Sequence, residues 1–133
     1  MKDRHLLLTA IAFVFSISAA QAQLAGEYAD KSYRGGSAVF QMSIEGSGNG
    51  TQVWFSAIRH DAQGSAPEGQ GYGKMNSKGA LEFRFDDSCH NSGTGTITKS
   101  GDDILVSMSV TKKADAGCAA FYSASMKLKR VKK

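Results

Sequence analysis

Hydrophobic and polar residues alternate along most of the chain after residue 25, and a period of two is typical of β-strands with one buried face. The clearest segment is 81–86, where Leu81, Phe83 and Phe85 alternate with charged residues. Similar alternation is found at 38–45, 51–61, 104–111 and 118–129, and weaker strand patterns lie at 26–31, 70–75 and 93–99. The sequence therefore predicts an almost entirely β protein with eight strands.

Glycine, asparagine and aspartate mark short turns between these segments, for example at 46–50, 76–79 and 100–103. Loops this short connect antiparallel neighbours, so the strands are predicted to form a meander. Closing the sheet would remove its exposed edges and leave an interior that side chains or one small ligand can fill. We therefore predict an all-β fold, a single small antiparallel meander barrel of avidin- or lipocalin-like architecture. An open β-sandwich of the same strands is the alternative.

For two of the predicted strands, the sequence also predicts which faces are buried. In the segment 51–61, Trp54 and Ile58 lie on the face opposite Phe55, which indicates that both faces are covered. In the segment 118–129, apolar residues at even positions and lysines at odd positions predict one continuous last strand.

Residues 1–22 have the pattern of a secretory signal peptide. Basic residues precede an apolar run, and Ala20-Gln21-Ala22 supplies small residues before a cut at Gln23. The run is short for a bilayer span of roughly 20 apolar residues, so no membrane span is predicted. The expected organisation is a signal peptide at 1–22 and a β-barrel domain with a basic C-terminal tail at 23–133, in a periplasmic or secreted protein.

Cys89 and Cys118 remain in the exported chain, and an even cysteine count in an exported protein predicts a disulfide. Such a crosslink would stabilise the fold by about 3.5 kcal/mol through the entropy of the unfolded chain. A zinc site would need closely spaced cysteine pairs, which the sequence lacks. No metal and no cofactor is predicted.

The positive charge of the exported chain is concentrated at its C-terminus. Fourteen lysines and arginines oppose eleven aspartates and glutamates, but five of those bases lie within 127–133. The remaining body is weakly acidic, so no nucleic-acid partner is expected. The alternating lysines are interpreted as the outer face of a terminal strand, where charge discourages edge pairing. Attraction to an acidic protein, an anionic lipid surface or a polyanion is the alternative.

The sequence contains no recognisable catalytic set, so no catalytic residues are assigned and the protein is predicted not to be an enzyme. Its serines lack a nucleophile-elbow context, and the glycines at 69, 71 and 73 precede no helix that could bind a phosphate. These glycines are expected to leave room for a bulky neighbour. Asp86, Asp87 and His90 at a strand end offer carboxylate and imidazole ligands. A metal-dependent hydrolase that uses them is therefore one alternative.

Two loops carry residues typical of protein interfaces. Tyr33 and Arg34 lie between the first two predicted strands, and Arg59 and His60 lie at the end of another. Tyrosine and arginine are enriched where proteins bind each other, and histidine changes charge near neutral pH. These four residues are the predicted binding site, at one end of the barrel.

The opening Leu24-Ala25-Gly26-Glu27-Tyr28 resembles the G-x-W start of avidin and lipocalin barrels. The resemblance covers the first strand, and Tyr28 stands where those families have tryptophan. Small periplasmic lysozyme inhibitors are similar in size, signal peptide, disulfide use and barrel architecture, although their S-G-x-x-Y loop motif is absent here. These resemblances imply an architecture and assign no family.

Export, one disulfide and the lack of a catalytic set predict a non-enzymatic protein that binds another protein through loops at one barrel end. An inhibitor or immunity-type protein directed at an exported hydrolase is the most concrete version. The partner is unidentified and the oligomeric state is undetermined. The alternative is a carrier that holds a small apolar ligand between Phe40, Met42, Phe55, Phe83, Phe85, Met108 and Met126. A filled interior would disfavour the carrier, and a void of roughly 300 Å³ would favour it.

Overall fold

A computed structural model describes residues 24–47, 50–60 and 66–132, so the predicted signal peptide at 1–22 and its cut at Gln23 lie outside the described residues. Strands and short helices follow in the order β1 (Gly26–Ser32), α1 (Tyr33–Gly36), β2 (Ala38–Ser47), β3 (Gly50–Arg59), β4 (Glu68–Met75), β5 (Leu81–Asp87), β6 (Ser92–Ser100), β7 (Asp103–Lys112), α2 (Ala116–Ala119) and β8 (Met126–Lys132).

Each strand pairs with its sequence neighbour, and β8 pairs with β1, so the sheet closes into an antiparallel barrel. The predicted meander barrel of eight strands is confirmed, and the open sandwich is wrong. Closure leaves no unpaired sheet edge in the described ranges and separates each strand into an inner and an outer face.

The interior of the barrel is packed with phenylalanines that lie beside glycines. On β5, Phe83 pairs with Gly73 of β4 and with Gly95 of β6, and Phe85 has glycines in the same two positions. A Cβ atom at Gly95 would lie 2.6 Å from Cε1 of Phe83, closer than any real contact. The glycines therefore provide the volume that the rings occupy, as predicted for the glycines of β4.

Side chains fill the interior. The seven residues that would line a ligand cavity are buried, each at most 4% exposed, and they belong to one hydrophobic cluster. Aromatic contacts run through this cluster, with Phe55 and Phe85 edge to face at a centroid distance of 5.5 Å. A filled interior disfavours the carrier alternative.

One end of the barrel, which we call the closed end, is sealed by Arg130 of β8. Its guanidinium lies 4.9 Å from the ring centroid of Tyr28 and donates hydrogen bonds to the Tyr28 hydroxyl (2.7 Å) and to the carbonyl oxygen of Ala25 (2.9 Å). The Tyr28 hydroxyl in turn donates to the carbonyl oxygen of Leu24 at 2.7 Å. Arg130 is therefore half-buried and structural, whereas Lys127 and Lys129 are exposed, as predicted for an outer strand face.

Two strand-level predictions are wrong. The outer face of β3 is not covered, since Trp54 is 37% and Ile58 50% exposed. The predicted last strand at 118–129 begins at Met126, because Asp115 starts a helical turn by accepting a hydrogen bond from the Cys118 amide at 3.0 Å. The even-numbered apolar pattern before Met126 comes from an irregular segment, 113–125, which we call the cap segment.

Gly95→Ala is expected to lower the free energy of unfolding by about 1–3 kcal/mol, because the added methyl group meets the Phe83 ring and the carbonyl oxygen of Ser107. Urea-induced unfolding measures this change. Thr94→Ala, on the exposed face of the same strand, is the control and should change stability by less than about 0.5 kcal/mol. In a Phe83→Leu background, Gly95→Ala should cost less. An equal cost in both backgrounds would contradict this account of the packing between Phe83 and Gly95.

Candidate functional site

The end opposite Arg130 carries the candidate site, and we call it the capped end. The connections 33–37, 60–67, 88–91 and the cap segment meet there, and of these the residues 61–65 lie outside the described part of the chain. The cap segment leaves β7, crosses the mouth of the barrel and enters β8. Its course determines which side chains reach solvent at this end.

A disulfide ties the cap segment to the wall. Cys89 in the turn after β5 is bonded to Cys118 in α2, with the two Cα atoms 6.4 Å apart, which confirms the predicted pair. An intramolecular disulfide is consistent with an oxidising compartment. In the described residues, the one group of three potential metal ligands is Cys89, Asp115 and Cys118. Its two sulfur atoms are already bonded to each other, so they offer no thiolates to a metal.

A buried polar network joins the same two segments. The Asp87 carboxylate accepts hydrogen bonds from the amides of Cys89 and Asn91, each at 2.9 Å. The Asn91 side-chain oxygen accepts from the amides of Ala114 (2.7 Å) and Asp115 (2.9 Å), and its amide group donates to the Asp115 carbonyl oxygen at 3.0 Å. Because each of these groups has a partner, the network fixes the position of the cap segment relative to β5 and β6.

Tyr122 anchors the middle of the cap segment to the core. Its hydroxyl donates to Oδ2 of Asp87 at 2.6 Å, and its ring centroid lies 4.9 Å from that of Phe85 and 5.9 Å from that of Phe55. Burial raises the pKa of the Tyr122 hydroxyl, and the hydrogen bond to Asp87 raises it further. The Tyr122 side chain thus covers the hydrophobic core at the capped end.

The neighbouring Phe121 is the centre of the candidate surface. Its backbone carbonyl oxygen accepts a hydrogen bond from the Tyr33 hydroxyl, and its side chain is 1% exposed. The guanidinium carbon of Arg34 lies 4.8 Å from the Phe121 ring centroid, and that of Arg59 lies 5.7 Å from it. Both distances are within the range of cation–π attraction, so both guanidiniums are attracted to the same ring.

The structure brings three of the four predicted binding residues to this surface. Arg34 and His60 are exposed, Arg59 is half-buried, and the His60 amide donates to the Ser37 carbonyl oxygen at 3.1 Å. Tyr33, the fourth predicted binding residue, is buried, with 8% of its surface exposed, so it does not contact a partner directly. Its ring packs against the core, and its hydroxyl donates a hydrogen bond to the carbonyl oxygen of Phe121. Tyr33 therefore fixes the position of Phe121 beneath the surface.

Arg34 is held in an unusual backbone conformation. Its φ of 56° and ψ of 48° place it in the left-handed region, which costs a residue with a Cβ atom about 1 kcal/mol or more relative to the right-handed form. Glycines follow at 35 and 36, also with positive φ. The Ser37 hydroxyl donates to the Arg34 carbonyl oxygen at 3.0 Å and supports this turn. Strained backbone conformations are concentrated at functional positions, so the strain makes Arg34 a candidate functional residue.

Sequence reasoning missed Phe121. A strand through 118–129 would put Phe121 on the outer face with the lysines, whereas the turn of α2 shifts the phase so that Phe121 and Tyr122 both face inward. The aspartate at 115, an N-cap residue three positions before Cys118, was the available signal.

The predicted alternative metal group is not assembled in the structure. Asp86 and Asp87 are successive residues of β5 and face opposite sides, with Asp87 buried in the network and Asp86 exposed on the outer wall. Asp86 accepts a hydrogen bond from the Ser92 hydroxyl at 2.6 Å. His90 is exposed in the turn, with a φ of 70°. This arrangement gives no support to a metal-dependent hydrolase at these residues.

Stability is expected to fall above about pH 10, the ordinary tyrosine pKa, because burial raises the pKa of Tyr28, Tyr33 and Tyr122. The folded state then binds these protons more tightly than the unfolded chain, so the stabilisation is complete below pH 10 and is lost as pH rises further. Urea unfolding between pH 7 and 11 measures the loss.

In this experiment Tyr122→Phe should be less stable than the original protein at pH 7 but should lose less stability between pH 9 and 11. Ile97→Val, which removes a buried methyl group and no hydroxyl, is the control and should keep the original pH dependence. An unchanged pH dependence in Tyr122→Phe would show that its hydroxyl is not protected by the fold.

In the described ranges, no helix combines the length and the apolar character needed to cross a bilayer. No protein-family model, curated protein or solved structure matches the chain, so its geometry is the basis for the proposals that follow.

Proposed function

We propose that the chain is an exported, non-enzymatic binding protein that contacts another protein through its capped end. The observation that carries this proposal is the pair of guanidiniums held against one aromatic ring, at 4.8 and 5.7 Å from the centroid of Phe121. Arginine and aromatic residues supply much of the binding energy in protein interfaces. At the capped end, a buried aromatic ring holds the arginines Arg34 and Arg59 at the surface.

The rigidity of this surface supports a binding role. The disulfide and the Asp87–Asn91 network hold the cap segment before any partner arrives. Side chains that are already ordered lose less conformational entropy on association, which favours affinity. The strained turn at Arg34 is also ordered before a partner binds, so the free-energy cost of forming it belongs to folding and not to association.

The charge distribution indicates an acidic counterpart. Lys112 and Lys113 add exposed positive charge near the cap segment, while the carboxylates of Asp87 and Asp115 are directed into internal hydrogen bonds. Among the described residues at this end, exposed cations outnumber the exposed carboxylates, of which Glu68 is one, and this excess favours a partner whose surface carries carboxylates. An exported hydrolase with acidic residues around its active site fits this description. The most concrete version of the proposal is therefore an inhibitor or immunity-type protein.

The test starts with affinity capture on the purified protein from the envelope fraction of the exporting cell, followed by binding measurements with the purified partner. Arg34→Ala/Arg59→Ala should weaken the affinity by about 100-fold, which corresponds to about 2.8 kcal/mol shared by two central arginines. His60→Ala should have a smaller effect. The affinity of the original protein should also fall as salt concentration rises.

Lys74→Ala/Lys78→Ala is the matched control, since it removes two exposed cations near the closed end. It should bind within a factor of about two of the original protein. Equal affinity of the arginine double variant and this control would exclude the capped end as the binding surface. If the partner is a hydrolase, its inhibition at equimolar ratio separates an inhibitor from a binding protein that leaves activity intact.

A further inference from the structure

The outer wall of the barrel carries a groove that is separate from the arginine pair. It has a volume of about 860 Å³ and crosses β1 to β5. This volume lies in the range of sites that bind small molecules or short oligomers. The groove plays no part in the function proposed above.

A row of side chains from five adjacent strands runs along this groove. The strand registers place Ser43 opposite Glu27 and Trp54, and Gln70 opposite Trp54 and Asp86. Neighbouring strands are about 4.8 Å apart, so the row extends for about 19 Å along the wall. Because the wall of a closed barrel curves away on both sides, a ligand centred on Trp54 contacts the nearer members of this row.

Trp54 is the apolar centre of the row. It is the single tryptophan of the chain, and its side chain is 37% exposed although it lies in the middle of β3. Its cross-strand neighbours Ser43 and Gln70 are respectively too short and too polar to cover an indole ring. The result is an exposed aromatic face with hydroxyl and amide groups on either side.

This combination matches the chemistry of a sugar ring. One face of a pyranose carries C–H groups that pack on an aromatic ring, and its rim carries hydroxyls that both donate and accept hydrogen bonds. Glutamine offers a donor and an acceptor, and a carboxylate accepts from two hydroxyls. Asp86 is already oriented for this role because the Ser92 hydroxyl donates to Oδ1 at 2.6 Å.

The charge of the lining restricts the sugar class. The lining contains four acidic residues, Glu27, Glu68, Asp86 and Asp87, and one lysine, Lys31. The carboxylate of Asp87 is bound inside the polar network, so three carboxylates remain for the groove. The excess of negative charge disfavours uronic acids, sulfated sugars and other anionic saccharides. It is compatible with neutral sugars and amino sugars.

We propose that this groove binds a non-anionic oligosaccharide, with one ring stacked on Trp54 and hydroxyls hydrogen-bonded to Gln70 and Asp86. The site uses no residue of the arginine pair, so binding of a protein at the capped end and binding of sugar on the wall are separate properties that fail independently.

Fluorescence titration tests the proposal, because Trp54 is the single source of indole emission in the chain. The probes are cellotriose, maltotriose and chitotriose, with trigalacturonate as the anionic comparison and trilysine as a cationic peptide. At least one neutral trisaccharide should shift the emission in a saturable way, with a dissociation constant of the order of 1 mM or tighter. Trigalacturonate should not.

Variants locate the site by calorimetry. Trp54→Ala should abolish binding of the active trisaccharide, and Gln70→Ala should weaken it by about three- to tenfold. Leu105→Ala, which removes an exposed apolar side chain from β7, is the control and should leave affinity unchanged. Circular dichroism confirms that each variant is folded.

Three results would overturn the proposal. The first is the lack of a saturable response to every neutral trisaccharide up to about 10 mM. The second is undiminished sugar binding by folded Trp54→Ala, and the third is saturable binding of trilysine alone. The last result would identify the groove as a site for cationic peptides.

Discussion

The structure depends on how phenylalanine and glycine share the inside of a narrow barrel. Eight strands enclose a space that a few aromatic rings fill, and the rings of β5 fit because β4 and β6 present glycines opposite them. With Phe83 and Phe85 occupying that space, the interior becomes a packed core. Both proposed binding surfaces therefore lie on the exterior of the barrel.

The two surfaces differ in the way they are built. At the capped end, irregular chain is made rigid by a disulfide and by the hydrogen bonds around Asn91, so that arginines can be presented above a buried ring. On the wall, regular strand pairing alone places Trp54 between polar neighbours. The first solution suits a flat, charged partner, and the second suits a thin ligand that lies along the sheet.

Alternation along the chain was sufficient to predict the barrel and its strand count, because a half-buried strand must alternate. It was insufficient where the backbone leaves the strand conformation. The phase shift at α2 moved Phe121 from outside to inside, and the turn after β1 buried Tyr33. The role of Arg130 could not be predicted either. Its position in a lysine-rich run gave no indication that its guanidinium donates a hydrogen bond to the Tyr28 hydroxyl. Such contacts depend on the arrangement of distant segments, which periodicity does not encode.

The seam between β1 and β8 has a consequence for the order of events when the chain folds. Arg130 and Tyr28 are 102 residues apart in sequence, and β1 completes its second set of pairings only with β8. Contacts of such long range are slow to form because a large loop must close first. Until β8 has docked, one side of β1 therefore has no partner strand. Closure of the barrel thus requires the first and eighth strands of the sheet, which are far apart in sequence, to meet.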